Sequence, residues 1–345
     1  MSLNCCRLFA LAWLVAAPAL AQTSLGEKAL DTLPIADVPA DKRGAEFQLF
    51  VENDLFADTD RYYTSGVKLG GGLPLDWLNS PAIHVLDGLL DLKGKEVRVG
   101  AFIGQNLYTP RNIRIAAAQP DDRPWAAWLY LGGVAQRATE QRLDSVEVDL
   151  GMVGPAALGE PAQRTLHKLI GSPQPQGWDN QLPNEPAIQI AYLAKRRYRH
   201  GWFDVIPHGG LTVGTVTTLA RAGGMVRVGW GMTGFGPDRI EPGGAMLQNM
   251  RGVTDPVRTP WEVYVFAGVD HRWVAHSIFL DGTVFRDSAH IARRTHVYDT
   301  TFGISGRIGP WRASFQRVRR SREFDSPTQV GEPQSFGSFN VGLEF

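Results

Sequence analysis

The last ten residues, Phe336–Phe345, read FGSFNVGLEF, and their two parities differ in chemistry. Phe339, Val341, Leu343 and Phe345 are apolar, whereas Ser338, Asn340, Gly342 and Glu344 are small or polar. Successive side chains of a strand point to opposite faces, so this stretch presents one face to an apolar medium and the other to a polar interior. Period two over roughly ten residues also matches one bilayer crossing by a tilted barrel strand.

The same alternation recurs upstream. Ala45–Asn53 sets Phe47, Leu49 and Val51 against Glu46, Gln48 and Glu52, broken by Phe50. Similar segments run Tyr63–Leu73, Glu96–Leu107, Trp125–Ala135, Arg142–Val153, Ala187–Tyr198, Trp202–Leu219, Met225–Phe235, Trp261–Ala275, Thr295–Ile308 and Trp311–Val318, which with the first and last makes twelve. An even number of antiparallel strands closes without an edge, and closure is how a sheet satisfies its backbone in lipid. A soluble sandwich or a periplasmic barrel alternates too. The aromatic Phe345 resembles the assembly signal of outer-membrane barrels, and Trp125, Trp202, Trp261 and Trp311 sit near segment ends as in interfacial girdles, so the membrane is favoured. The expected fold is all-β, a transmembrane antiparallel β-barrel of about twelve strands.

Residues 1–21 combine Arg7, an apolar run from Leu8 to Leu20 and a small-residue ending, the pattern of a secretory signal peptide. Residues 22–44 read as a periplasmic leader and 45–345 as the barrel. Both cysteines, Cys5 and Cys6, precede the apolar run, which argues against a lipoprotein anchor. A mature chain without them has no catalytic thiol, disulfide or thiolate metal site. Basic and acidic residues number 35 each, so no net field points to nucleic acid, and no segment points to an obligate protein partner.

With both termini in the periplasm, the first strand runs outward and the stretch Val51–Gly66, VENDLFADTDRYYTSG, lies on an external rim. Its oxygens (Glu52, Asn53, Asp54, Asp58, Asp60 and Thr64) suit a hard divalent cation such as calcium, although Asn, Asp and Thr also dominate ordinary turns. On the same count Tyr108–Pro124 and Gly154–Pro186 are external and Ala138–Gln141 is a periplasmic turn. One connection, Gly236–Pro260, falls on the periplasmic side and is too long for a turn. Within Gly154–Pro186 a helix is expected: Pro161 suits its first position, Ala162, Leu166, Leu169 and Ile170 form a stripe, and Gly171 and Pro173 end it. Such a helix has no soluble core and should pack on the rim or in lipid headgroups. His167 lies beside the stripe, where a packing or surface histidine is the plain alternative to a general base. Folding gathers Asn53, Asp54, Thr64 and His167 on one rim, a set suited to ester hydrolysis by activated water, and no GxSxG elbow supports a covalent route.

ENDLFADTDRYYTSG, QNLYTP at Gln105–Pro110 and LHKLIGSPQPQGWDNQ at Leu166–Gln181 together resemble the outer-membrane lipid A deacylase family of the LpxR type. The resemblance implies hydrolysis of the 3′-linked acyl ester of lipid A in the outer leaflet, with calcium as cofactor. It implies metal or catalytic roles for Asn53, Asp54 and Thr64, and His167 as general base. A family member carries a glutamate six residues after the histidine, where this chain has Pro173, so Glu185 or Asp179 could orient the base instead. Arg111, Arg114, Arg123 and Lys168 could meet lipid A phosphates, or be solvated loop charges. An outer-membrane phospholipase and a passive porin are the other readings.

Overall fold

A computed structural model describes residues 44–57, 61–74, 96–241, 261–327 and 332–344. The expected signal peptide, the leader up to residue 43, Asp58, Asp60 and part of the long connection lie outside these. Twelve principal strands carry the fold: β1 (Glu46–Asn53), β2 (Tyr62–Pro74), β3 (Glu96–Thr109), β4 (Ala126–Ala138), β5 (Arg142–Val153), β6 (Glu185–Arg196), β7 (Phe203–Gly214), β8 (Thr217–Trp230), β9 (Trp261–Ser277), β10 (His296–Ile308), β11 (Trp311–Arg320) and β12 (Gln334–Glu344). Tyr198–His200 adds a short hairpin against Phe203–Val205. Each strand pairs antiparallel with its neighbours in sequence, and β1 meets β12 from Glu46↔Glu344 to Asn53↔Gly337. The sheet is therefore a closed barrel without edges. None of the described helices is long and apolar enough to cross a membrane.

Alternation becomes an inside-out arrangement. Leu131, Leu150, Val213, Phe302 and Ile304 stand exposed on the outer wall, while Gln48, Lys68, Glu147, Asp204, Arg227 and Glu262 are buried inside. Trp202, Trp230, Trp261 and Trp311 remain exposed at the end of the barrel where β1 begins, as an interfacial girdle does. Trp125 departs from that expectation. It is buried beneath the 154–184 loop with its ring 5.1 Å from Trp178.

One expected boundary also shifts. Trp202–Leu219 is split by a turn at Thr215–Val216, and the next strand starts at Thr217 rather than Met225. Thr and Val carry no turn signal. The turn is held from outside the hairpin, by Val216 buried under the rim with its carbonyl accepting the Ile278 amide at 2.9 Å.

The overlong connection has a physical explanation in its described part. After β8, residues 231–241 turn into the lumen and climb from the girdle end towards the opposite rim. Thr233 bonds Glu262 (Oγ1 to Oε2, 2.7 Å), Lys195 pairs with Asp238 at 2.6 Å, Arg239 pairs with Asp299, and the Ile240 amide reaches Glu52 Oε1 at 3.0 Å. Arg227 ties the segment to the wall: it forms two hydrogen bonds with Asp204, at 2.9 and 2.5 Å, and donates to the carbonyls of Thr233 and Gly234. From the rim, a helical turn at Ile278–Asp281 lowers Phe279 onto Tyr108, with ring centroids 3.9 Å apart. The lumen is thus filled by charge pairs, chain and aromatic rings.

Asp204→Ala should leave Arg227 buried and short of the only carboxylate it bonds among the described residues, at a cost of about 3–5 kcal/mol. The heat-modified gel band should then convert at a clearly lower temperature than in the parent; an unchanged conversion temperature would remove this pair from the account.

Candidate active site on the outer wall

At the rim where β1 ends, helix α1 (Gly159–Ile170) lies against the outside of the barrel. Outward residues of the wall, Leu107 and Ala127, form one cluster with Trp125, Ala157 and Trp178, and Ala162 of the helix packs on it. Gln105, also outward, donates to Ala157 O at 2.6 Å and pins the turn before the helix. Contact is close at Gly159, where an added Cβ would lie 2.5 Å from Ala127 Cβ and 2.6 Å from the Trp178 ring. The helix starts at Gly159, so Pro161 occupies its third position, and it ends at Gly171 with φ 73°, the left-handed conformation glycine adopts most readily.

The side of α1 facing the barrel is polar. Gln163 and His167, four residues apart and hence on one face, are both buried. Leu169 of the expected stripe is instead 79% exposed. Burying a glutamine and a histidine where a leucine would pack better makes this face a candidate site.

A cleft of about 220 Å³ between helix and wall is lined by Asn53, Asp54, Thr64, Ser65, Gln163 and His167, with Leu107, Leu166 and Ile170 among its apolar neighbours. Two local irregularities aim adjacent residues the same way. The extra residue Thr64 bulges β2 between Tyr63↔Tyr108 and Ser65↔Leu107, so Thr64 and Ser65 both face the cleft. β1 gives way after Asn53 to a 3₁₀ turn, Asp54–Ala57, which brings Asp54 beside Asn53. Tyr62, just before the bulge, holds φ at 71°, costly for a non-glycine residue and fixed by its ring packing on Phe324 at 5.2 Å. Hydrogen bonds complete the frame: Asn53 Oδ1 accepts the Leu55 amide at 2.8 Å, Asp54 Oδ2 the Arg61 amide at 2.6 Å, and the Thr64 and Thr109 hydroxyls are 2.7 Å apart.

His167 is oriented by Pro173, the residue standing where the resemblance implies a glutamate. Its Nδ1 lies 2.5 Å from the carbonyl oxygen of Pro173, which only accepts, so Nδ1 carries the proton and a neutral ring has its lone pair on Nε2. Glu185 and Asp179, expected as substitutes, are elsewhere: the Glu185 carboxylate accepts the Val284 and Phe285 amides, and Asp179 is exposed on the Trp178–Asn180 turn. Glu52 faces the lumen, bonded to the Tyr63 hydroxyl at 2.8 Å, and cannot join Asp54.

Arg111, Arg114 and Lys168 are exposed and do not line the cleft. Arg123 is buried, its guanidinium over the Tyr108 ring at 4.7 Å and Nη1 3.4 Å from Glu323, so it is a structural cation. Beside it, burial pushes the Asp122 carboxyl up from its ordinary pKa against the lowering pull of the Arg111 and Arg123 amides. Gln163 was missed by sequence reasoning, although its spacing of four from His167 was visible. It accepts the Trp178 indole N–H at 2.8 Å through Oε1, while its buried Nε2 has no hydrogen-bond partner among the described residues.

The donor set suits a hard cation only. Among the described residues no three His, Cys, Asp or Glu side chains gather as a transition metal requires, whereas Asp54, Asn53 and Thr64 supply oxygens.

Residues 8–345 match the family model described as "Outer membrane protein LpxR". The chain belongs to the LpxR family of outer-membrane proteins. Among solved structures, LpxR from Salmonella typhimurium matches with TM-score 0.68 and 21% identity over 87% of this chain and 100% of that one. The β domain of the Bordetella autotransporter BrkA matches at TM-score 0.41 and 10% identity, over 88% and 98% of the two chains. No curated protein matches the sequence. In this LpxR-family chain the twelve-stranded outer-membrane barrel is thus common ground with the Salmonella protein.

Gly159→Val should push α1 off the wall without touching the barrel. Trypsin should then cut at Arg164 or Lys168 faster than in the parent while the heat-shifted barrel band persists; equal cleavage rates would contradict the close contact.

Proposed function

We propose that the protein is a lipid A deacylase of the outer membrane that hydrolyses the 3′-linked acyl ester, with its cleft at the external leaflet. The observation that carries this reading is the position of the cleft. Asn53, Asp54, Thr64 and His167 meet on the lipid-facing side of the wall, not in the lumen, so an ester-bearing lipid can approach sideways from the leaflet. A passive porin has no use for such a cleft, and residues 231–241 occupy the lumen that a porin needs open.

The mechanism follows from the chain's own groups. Pro173 O fixes the imidazole so that Nε2 takes a proton from water. The hydroxide adds to the ester carbonyl carbon; the carbon–oxygen bond to the sugar then breaks, and the imidazolium returns its proton to the leaving sugar oxygen. Gln163 lines the cleft, and its Nε2 amide is the donor for the oxygen that gains charge. Asp54, with Asn53 and Thr64, would hold a calcium ion, which when bound supplies positive charge beside that oxygen. One carboxylate in the set implies modest affinity.

Deacylation of lipid A in mixed micelles by the purified barrel tests the base. His167→Asn should lower turnover by roughly a hundredfold or more, the contribution usual for a general base, with the folded band intact. Near-parental turnover would take His167 out of the mechanism. Activity should also vanish with a calcium chelator and return with added calcium, and Asp54→Ala should abolish it; full activity after exhaustive chelation would leave Gln163 and its neighbours as the only oxyanion donors.

A further inference from the structure

A second feature of the outer wall stands at the same height as the cleft. Arg317 and Arg319 of β11 point outward and are exposed, and neither forms an ion pair among the described residues. With Arg61 they line an open hollow of about 710 Å³ that also presents Thr300, Thr301 and Ser335. Glu332 is the one carboxylate among its described lining residues, and it is engaged by Arg61 at 2.7 Å and Arg111 at 3.3 Å. The described lining of the hollow therefore keeps a net positive charge. Cationic side chains on the lipid-facing wall are unfavourable unless they meet water or an anionic headgroup, and a guanidinium fork matches phosphate geometry.

Strand register fixes where this lies. Arg317 pairs with Gly337, and Gly337 pairs with Asn53, so the arginine and the cleft face each other across one residue that has no side chain. Two strand spacings put them about 10 Å apart, within the span of one phosphorylated sugar and an arginine side chain. Arg61 links the two sites through the chain itself, since its amide binds Asp54 while its guanidinium belongs to the hollow. The hollow is roomy enough for a sugar phosphate, not only a bare ion.

We infer that Arg61, Arg317 and Arg319 form a phosphate site that holds the phosphate monoester of a glycolipid while its ester lies in the His167 cleft. This rests on the deacylase reading for the identity of the lipid, but the site itself is read by binding. The test uses fluorescent lipid A in micelles and compares His167→Asn, which cannot turn it over, with the same variant carrying Arg317→Gln and Arg319→Gln. Loss of two headgroup contacts should weaken binding of bisphosphorylated lipid A by roughly tenfold or more. Arg317→Lys with Arg319→Lys should recover part of it, and lipid A stripped of both phosphates should bind both proteins alike. Equal binding of bisphosphorylated lipid A by the Gln variant would overturn the site, as would the same loss towards the stripped lipid. Displacement by inorganic phosphate as effective as by lipid A would overturn the glycolipid assignment. Because no turnover is read, a protein that binds in this arginine-dependent way but never deacylates would refute the enzyme reading and leave the site standing.

Discussion

The structure depends on one seam, the antiparallel pairing of β1 with β12. In hydrocarbon an unpaired backbone N–H or C=O has no water to turn to, so a sheet survives only if its first and last strands find each other. Here they meet over the full length of β1, from Glu46↔Glu344 to Asn53↔Gly337. The top of that seam is also where the candidate site collects. Asn53 is the last residue of β1, Asp54 begins the turn beyond it, and Gly337 separates the cleft from the arginines of β11.

Closing the wall leaves a polar interior that must satisfy itself. Lys68 and Glu147, fully buried, meet at 2.7 Å, and Arg98 lies between Glu46 and Glu344 at 3.4 and 3.1 Å. Residues 231–241 complete many of the remaining pairs, which is why a connection on the girdle end can be so long. With the lumen committed to structure, the proposed active site lies on the outside of the wall. There α1 needs anchoring without a soluble core, and Trp178, Gln105 and the small residues Gly159 and Ala127 provide it.

Much of the fold was legible because period-two alternation is a direct imprint of a two-faced strand. Asp54 and a helical His167 stood out in the sequence because a turn and a surface helix do not require them, and the structure brings both to one cleft. What escaped depends on backbone geometry. The bulge that turns Thr64 outward beside Ser65 leaves no compositional trace, and Thr215–Val216 turns without any turn residue because Ile278 binds it from a distant loop. The replacement for the family glutamate was sought among carboxylates, whereas the Pro173 main chain, whose carbonyl any residue would have, holds the imidazole. Leu169, assigned by spacing to a stripe expected on the rim or in lipid headgroups, stands exposed, while the wall takes Gln163 and His167.

The central claim is that a cleft on the outer wall of this barrel acts on lipid A. Mass spectra of lipid A from bacterial cells with and without the protein test it most directly. The account predicts a lipid A species lighter by one ester-linked acyl or acyloxyacyl group only when the protein is present, with both phosphates retained and glycerophospholipids unchanged. Identical lipid A spectra together with new lysophospholipids would contradict it and assign the same cleft to glycerolipids.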